Sequence, residues 1–269
     1  MSRGRLLIAL VVAVISLLGY FGNSVINPVT KEKQHVGGVT PDQEIAMGLQ
    51  AAPEMAQEFG GLDPDARVQA LVDSVGNRIV SHTAAGTTPY QYQFHALSDP
   101  ETINAFALPG GQVFVTDGLL KRLETEGELA GVLGHEIGHV VARHGAEQIA
   151  KSQLTQGLTG AAVLATYDPN NPGSRNSAAV AMMIGQLVNM KFGRNDELEA
   201  DRLGVQFMSD AGFDPRSMEK LMQILEESAS GARQPEFFST HPNPENRITR
   251  IREAIKEKYP GGVPEGLQP

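Results

Sequence analysis

The spacing of apolar and polar residues changes several times along this chain, and each change marks an element. Sixteen residues from Leu6 to Phe21 carry no charge, and Arg3 and Arg5 precede them. A basic start followed by an apolar run predicts a helix handed to a membrane translocation machinery, either as a cleaved signal peptide or as a retained anchor. If it is retained, the basic flank leaves the N-terminus in the cytoplasm. In both cases everything after about Asn27 lies outside the cytoplasm. Residues 27–39, with Pro28, three charges and Gly37-Gly38, predict a linker.

Helical patterns then alternate with one extended stretch. Thr40-Pro41-Asp42-Gln43 carries a cap, a first-turn proline and a capping-box partner, and predicts a helix to about Phe59. Asp63-Pro64 opens a second helix, with Val68, Leu71, Val72, Val75, Ile79 and Val80 on its apolar stripe. The period drops to two where Tyr92, Phe94 and Ala96 alternate with Gln91, Gln93 and His95, which predicts a strand with His95 on its polar face. Ala105–Leu108 and Gln112–Thr116, joined through Pro109-Gly110-Gly111, predict a β-hairpin. Either it is simply a core hairpin, or one arm of it offers an edge to which an extended peptide adds as a further strand.

Thr125 and Glu128 form a capping box for the next helix, expected to run to about Gln153. Residues 157–165 and 178–188 are small and apolar around Asp168-Pro169-Asn170-Asn171-Pro172-Gly173. They predict two short core helices, or a hydrophobic lid or membrane-touching surface. A helix from Asn195 to about Ala211 ends at Gly212, and Asp214-Pro215 opens another. Asn243-Pro244 is expected to cap the last helix, whose apolar stripe is Ile248, Ile251 and Ile255. The Gly- and Pro-rich end, residues 259–269, predicts a disordered tail. The expected organisation is therefore an N-terminal segment (1–26), a linker (27–39), one domain (40–258) and the tail.

Composition removes several functions. Lys and Arg number 22 against 31 Asp and Glu, a formal charge of -9 with no long basic run, which argues against a nucleic-acid partner. Cysteine is absent, so disulfides, a thiolate metal site, a cysteine nucleophile and an acylated cysteine are all excluded.

Candidate chemistry centres on His135-Glu136-Ile137-Gly138-His139. On a helix, residues four apart share a face, so both imidazoles reach one ion, while Glu136 lies about 100° from His135 and about 60° from His139. A carboxylate in that place flanks the metal as a general base for water, the arrangement of a zinc hydrolase. Chance would give the motif roughly once in a hundred such sequences. Its flanks, Leu129, Val132, Leu133, Ile137, Val140 and Val141, are too apolar for two solvated histidines. Gly131, Gly134 and Gly138 form a bare stripe beside the ligands, which predicts close approach of another element. His144 points about 180° from His135 and is left to the surface or to a supporting contact.

A third ligand is offered by the helix beginning at Asn195. Glu197 and Asp201 share one face, so Glu197 can ligate while Asp201 bonds a ligating imidazole. Glu199 points away and is then solvated, although an acidic helix start is also favoured by the macrodipole alone.

Taken in order, His135-Glu136-x-x-His139, Glu197-x-x-Ala200-Asp201, and Ser239-Thr240-His241-Pro242 with Arg247 resemble gluzincin peptidases of the HtpX and CAAX prenyl protease type. Asn104-Ala105-Phe106-Ala107 with Pro109-Gly110-Gly111 is similar to the strand before the active helix in that family. The resemblance spans about Thr40 to Ile255. Within the family it is nearest the periplasmic, single-anchor quality-control members and the soluble domain of a mitochondrial relative. It implies an α+β fold: a mostly helical zincin-like domain with a small sheet, whose hairpin edge strand packs beside the active helix. It further implies one Zn2+ on His135, His139 and Glu197, with Glu136 as base and acid. Asp201 orients a ligand and Arg247 supports it, while His241 steadies the oxyanion or, in a resting state, binds the metal.

The expected function is a zinc metalloendopeptidase acting on unfolded or misassembled envelope polypeptides. It is membrane-anchored or free in the periplasm and binds substrates along the edge strand. The competing expectation is a chaperone-like module that holds extended chains, with a mainly structural metal.

Overall fold

Gln112–Thr116 is the innermost strand, with every residue buried, because its Val113, Phe114 and Val115 are apolar on both faces. In the computed structural model, which describes residues 3–166, 192–229, 235–243 and 246–269, this strand (β5) is the middle of three. Gln93–Leu97 (β3) runs parallel to it, and Ala105–Leu108 (β4) pairs antiparallel with Ala105 opposite Val115. The expected hairpin is present, and β4 is an edge strand. Its turn needs glycine: Gly110 and Gly111 have φ of 86° and 103°, and a Cβ on Gly110 would lie 2.4 Å from Ile45 Cα.

The chain divides into two compact units, 1–40 with 143–190 and 41–142 with 191–269. The second holds the sheet and the helices Pro41–Glu58 (α2), Ala66–His82 (α3), Asp117–Leu120 (α4) and Glu126–Val141 (α5). It continues with Arg194–Asp210 (α7), Ser217–Ala229 (α8), Phe237–Thr240 (α9) and Arg247–Lys258 (α10). α3 begins two residues later than expected, with Asp65 accepting from Arg67 N at 2.9 Å as its cap. α10 also starts late, at Arg247. Asn246 before it is left-handed at φ 73°, and Pro244, expected to open the helix, lies outside the described residues.

The final residues, expected to be disordered, instead dock. Gln268 bridges Phe213 in parallel, its backbone bonds Gly212 O and Asp214 N, and Pro269 O accepts from Gly127 N at 2.9 Å. A Gly- and Pro-rich composition weakens local structure but does not prevent a segment from filling backbone partners offered elsewhere.

In the first unit, Arg3–Gly22 (α1) packs against His144–Thr166 (α6), where a Cβ on Gly157 would fall 2.0 Å from Ser16 Oγ. Leu7, Leu10, Ile15 and Leu18 of α1 stay more than 60% exposed. Among the described residues no helix is long and apolar enough to cross a membrane. The expected linker is structured: Ser24–Ile26 (β1) pairs antiparallel with Lys33–His35 (β2), and His35 N donates to Glu147 Oε1 at 2.7 Å.

The helix expected to run unbroken to Gln153 is interrupted. Arg143 takes φ 55° between α5 and α6, and its Nη2 donates to Val39 O at 2.7 Å. Residues 157–165 continue α6 and form no separate helix. The rest of the expected lid, residues 167–191, lies outside the described residues.

Candidate metal centre

α5 is buried from Gly127 to Val141, which a helix reaches only when other elements surround it. Its start is the expected capping box. Thr125 Oγ1 accepts from Glu128 N at 3.2 Å, and Glu128 Oε2 accepts from Thr125 N at 3.3 Å. The glycine stripe receives α7. A Cβ on Gly138 would lie 2.9 Å from Ala200 O, and one on Gly134 would lie 3.2 Å from Gly204 O. Backbones this close carry Glu197 and Asp201 to the histidines.

Four donors converge. His135 Nε2 lies 3.1 Å from His139 Nε2 and 3.3 Å from His241 Nδ1. Glu197 Oε1 lies 3.1 Å from His241 Nδ1 and 3.4 Å from His139 Nε2, and Glu197 Oε2 is 3.5 Å from His135 Nε2. Four ligands about 2.0–2.1 Å from a tetrahedral zinc are separated by roughly 3.3 Å. The donor set fits that ion in spacing, in chemistry and in burial.

Glu136 stands beside this group and outside it. It is fully buried, His241 Nε2 is 3.6 Å from its Oε1, and neither oxygen has a hydrogen-bond partner among the described residues. Burial pushes its carboxyl above the usual range, and the neighbouring His241 opposes this.

Behind the donors runs a hydrogen-bonded chain of buried charged groups. His135 Nδ1 lies 2.8 Å from Asp201 Oδ1, and Arg247 donates through Nε to Asp201 Oδ2 at 2.7 Å and through Nη2 to Oδ1 at 2.9 Å. Arg247 Nη1 is also 3.3 Å from Glu197 Oε2. Burial disfavours every one of these charges, yet the Arg247 charge holds Asp201 below the usual carboxylate range. Glu197 is likewise low despite burial, through electrostatic interaction with His241 and hydrogen bonds from His135 and His139. For His135, burial works against the cation, but hydrogen bonds to Asp201 and Glu197 raise it to about 9 in the metal-free chain.

All seven residues singled out in the sequence, His135, Glu136, His139, Glu197, Asp201, His241 and Arg247, meet here. Glu199 is half-buried. His144 is buried at the start of α6, and His95 stacks on Phe114 at 4.6 Å. Neither belongs to the donor group.

Sequence reasoning missed two rings. Phe192 stacks on His139 at 4.0 Å, and Phe237 stacks on His241 at 4.5 Å. The only available signal was their adjacency to Gly193 and to the Ser239–Pro242 motif.

Two imidazoles and a carboxylate on one helix, met by a glutamate from a second, define the gluzincin class of metallopeptidase. The chain belongs to peptidase family M48, whose pattern matches residues 66–255. It is 32% identical over 230 residues to the beta-barrel assembly-enhancing protease of Escherichia coli, covering 80% of this chain and 45% of that protein. It is 34% identical over 242 residues to the mitochondrial metalloendopeptidase OMA1 of Schizosaccharomyces pombe, covering 88% of this chain and 68% of that one. The chain spans about half the length of the bacterial relatives it matches.

Proposed function

We propose that this chain is a zinc-dependent metalloendopeptidase acting on unfolded or misassembled polypeptides outside the cytoplasm. One observation carries the reading: donors at tetrahedral spacing sit beside a buried carboxylate, Glu136, that has no hydrogen-bond partner among the described residues. A site with a purely architectural metal has no use for such a group, which sets this reading above a chaperone-like binding module.

His135, His139 and Glu197 would hold one zinc, which would supply Lewis acidity toward a water and the scissile carbonyl. A Glu136 oxygen takes a proton from the attacking water and passes it to the leaving amine nitrogen. Its buried setting raises its proton affinity toward that of a base useful near neutral pH. Asp201 holds the proton on His135 Nδ1, so the lone pair of Nε2 faces inward, and Arg247 fixes Asp201.

His241 has two positions in this reading. In the resting chain its Nδ1 stands as a fourth donor, and once withdrawn the ring donates a hydrogen bond to the oxyanion.

Substrates lie extended along β4, the edge strand nearest α5. α1, apolar and exposed behind Arg3 and Arg5, serves as a signal or membrane anchor for residues 40–258. The name of the bacterial relatives, assembly-enhancing proteases, supports substrates among proteins that fail to assemble.

Elemental analysis of the purified full chain, wild type and Glu197→Ala, tests the metal. One zinc per chain is expected, falling at least tenfold in the variant, and a zinc-free wild type would sink the reading.

A further inference from the structure

The two imidazoles of α5 are held in different ways. His135 is fixed by a hydrogen bond, its Nδ1 2.8 Å from Asp201 Oδ1. His139 is covered by a ring. The Phe192 centroid lies 4.0 Å from that of His139 at 27° to its plane, whereas His135 meets the same imidazole nearly edge-on, at 4.7 Å and 76°. The approach of Phe192 to His241 is wider and more oblique, 5.3 Å at 37°, so His139 is the imidazole it faces. Phe192 is 8% exposed and His139 2%. A phenyl ring stacked this closely presents its face, where the negative part of its quadrupole lies.

The ring is held from both sides along the chain. Phe192 N donates to Thr240 O at 3.2 Å, and the next residue, Gly193, caps α7. Gly193 N donates to Asp196 Oδ2 at 2.8 Å, and Gly193 O accepts from Glu197 N at 3.1 Å. The capped turn that brings Glu197 Oε1 to 3.4 Å from His139 Nε2 therefore also sets the phenyl ring on the face of that imidazole.

We propose that Phe192 is a positioning residue for the metal, acting through His139: its ring face holds the imidazole plane and favours the imidazole most when the ion is bound. This rests on the zinc reading above and goes beyond it. An imidazole that gives its Nε2 lone pair to a dication loses electron density from the whole ring, and the negative face of a phenyl group attracts such a ring. A neutral imidazole without the ion gains less from the same contact. The difference is read as tighter metal binding and a fixed direction for Nε2. An aliphatic side chain of similar size fills the space and supplies neither.

The test measures zinc affinity of the full chain by competition with a chromophoric chelator. It compares wild type, Phe192→Leu, Phe192→Tyr, and chains in which the Phe192 ring carries two or five fluorines, introduced by nonsense suppression. Fluorine drains the ring face and leaves its shape nearly unchanged. Affinity should fall about tenfold in Phe192→Leu, stay within about twofold in Phe192→Tyr, and fall stepwise with fluorination. In chains labelled with 15N-histidine and loaded with 113Cd, the metal–nitrogen coupling of His139 should weaken in Phe192→Leu. That of His135, held by Asp201, should keep its wild-type size.

Wild-type affinity in Phe192→Leu, or an affinity indifferent to fluorine, overturns the proposal, because a ring that only fills space gives both. Equal weakening of the His135 and His139 couplings overturns it as well, since that is general loosening of the site. If Phe192→Leu does not fold, the fluorine series decides alone. A wild-type chain that binds no zinc overturns the metallopeptidase reading first, and this proposal with it.

Discussion

Arg247 grips Asp201 with two donors, Nε to Oδ2 at 2.7 Å and Nη2 to Oδ1 at 2.9 Å, and both residues are buried. The pair holds the far side of the His135 imidazole. Asp201→Asn weakens the acceptor for the Nδ1 proton, so zinc affinity should fall about 10–100-fold, measured by competition with a chromophoric chelator. Arg247→Ala should be more severe, since it leaves Asp201 and Glu197 buried without their cation. A loss of about 3–5 kcal/mol is expected by denaturant unfolding.

Metal-free and metal-loaded chains should respond to pH in opposite senses. His135 stands at about 9 in the folded metal-free chain against 6.5 as its ordinary value. Its folded value is raised, so the stabilisation it contributes is complete below pH 6.5 and disappears as pH rises through about 9. The size is roughly 3 kcal/mol at most. Zinc must displace the proton on Nε2, so uptake at pH 7.5 should release about one proton and tighten as pH rises. Calorimetry in buffers of different ionisation enthalpy reads the proton, and no proton release would contradict this.

Gly138→Ala should invert the usual helix preference. In an exposed helix the change gains about 1 kcal/mol. Here the new Cβ would lie 2.9 Å from Ala200 O, and α7 has to move away. A loss of about 1–3 kcal/mol is expected in thermal unfolding, with weaker zinc binding, because Glu197 and Asp201 move with α7.

What was legible in the sequence is what short spacings encode. The capping box at Thr125 and Glu128, the hairpin turn at Gly110-Gly111 and the shared face of Glu197 and Asp201 each involve residues at most four apart. The glycine stripe was legible too, because it repeats every three or four residues, although nothing in it named α7 as the partner. The break at Arg143 was not legible, since the periodicity of Val140, Val141 and Ile149 continues across it while the hydrogen bond to Val39 comes from over a hundred residues away. The same holds for His241 Nδ1, whose place beside His135 joins residues 106 apart. Composition misled at the tail: Gly and Pro near the end allowed it to follow the surface to Gly212 and Gly127.

Removal of Gln268 and Pro269 tests that docking. Three backbone bonds go with them, to Gly212 O, from Asp214 N and from Gly127 N. Stability should fall by about 1–3 kcal/mol with zinc stoichiometry intact. An unchanged unfolding midpoint would show that the end contributes nothing.

The central claim is that Glu136 moves the proton in peptide hydrolysis. Cleavage of an unfolded polypeptide by the purified, zinc-loaded Glu136→Gln chain measures this most directly, with zinc content and fold checked in the same preparation. The account expects one zinc per chain, an unchanged fold and a rate lowered at least 100-fold. Cleavage at the wild-type rate by that zinc-loaded variant would contradict it.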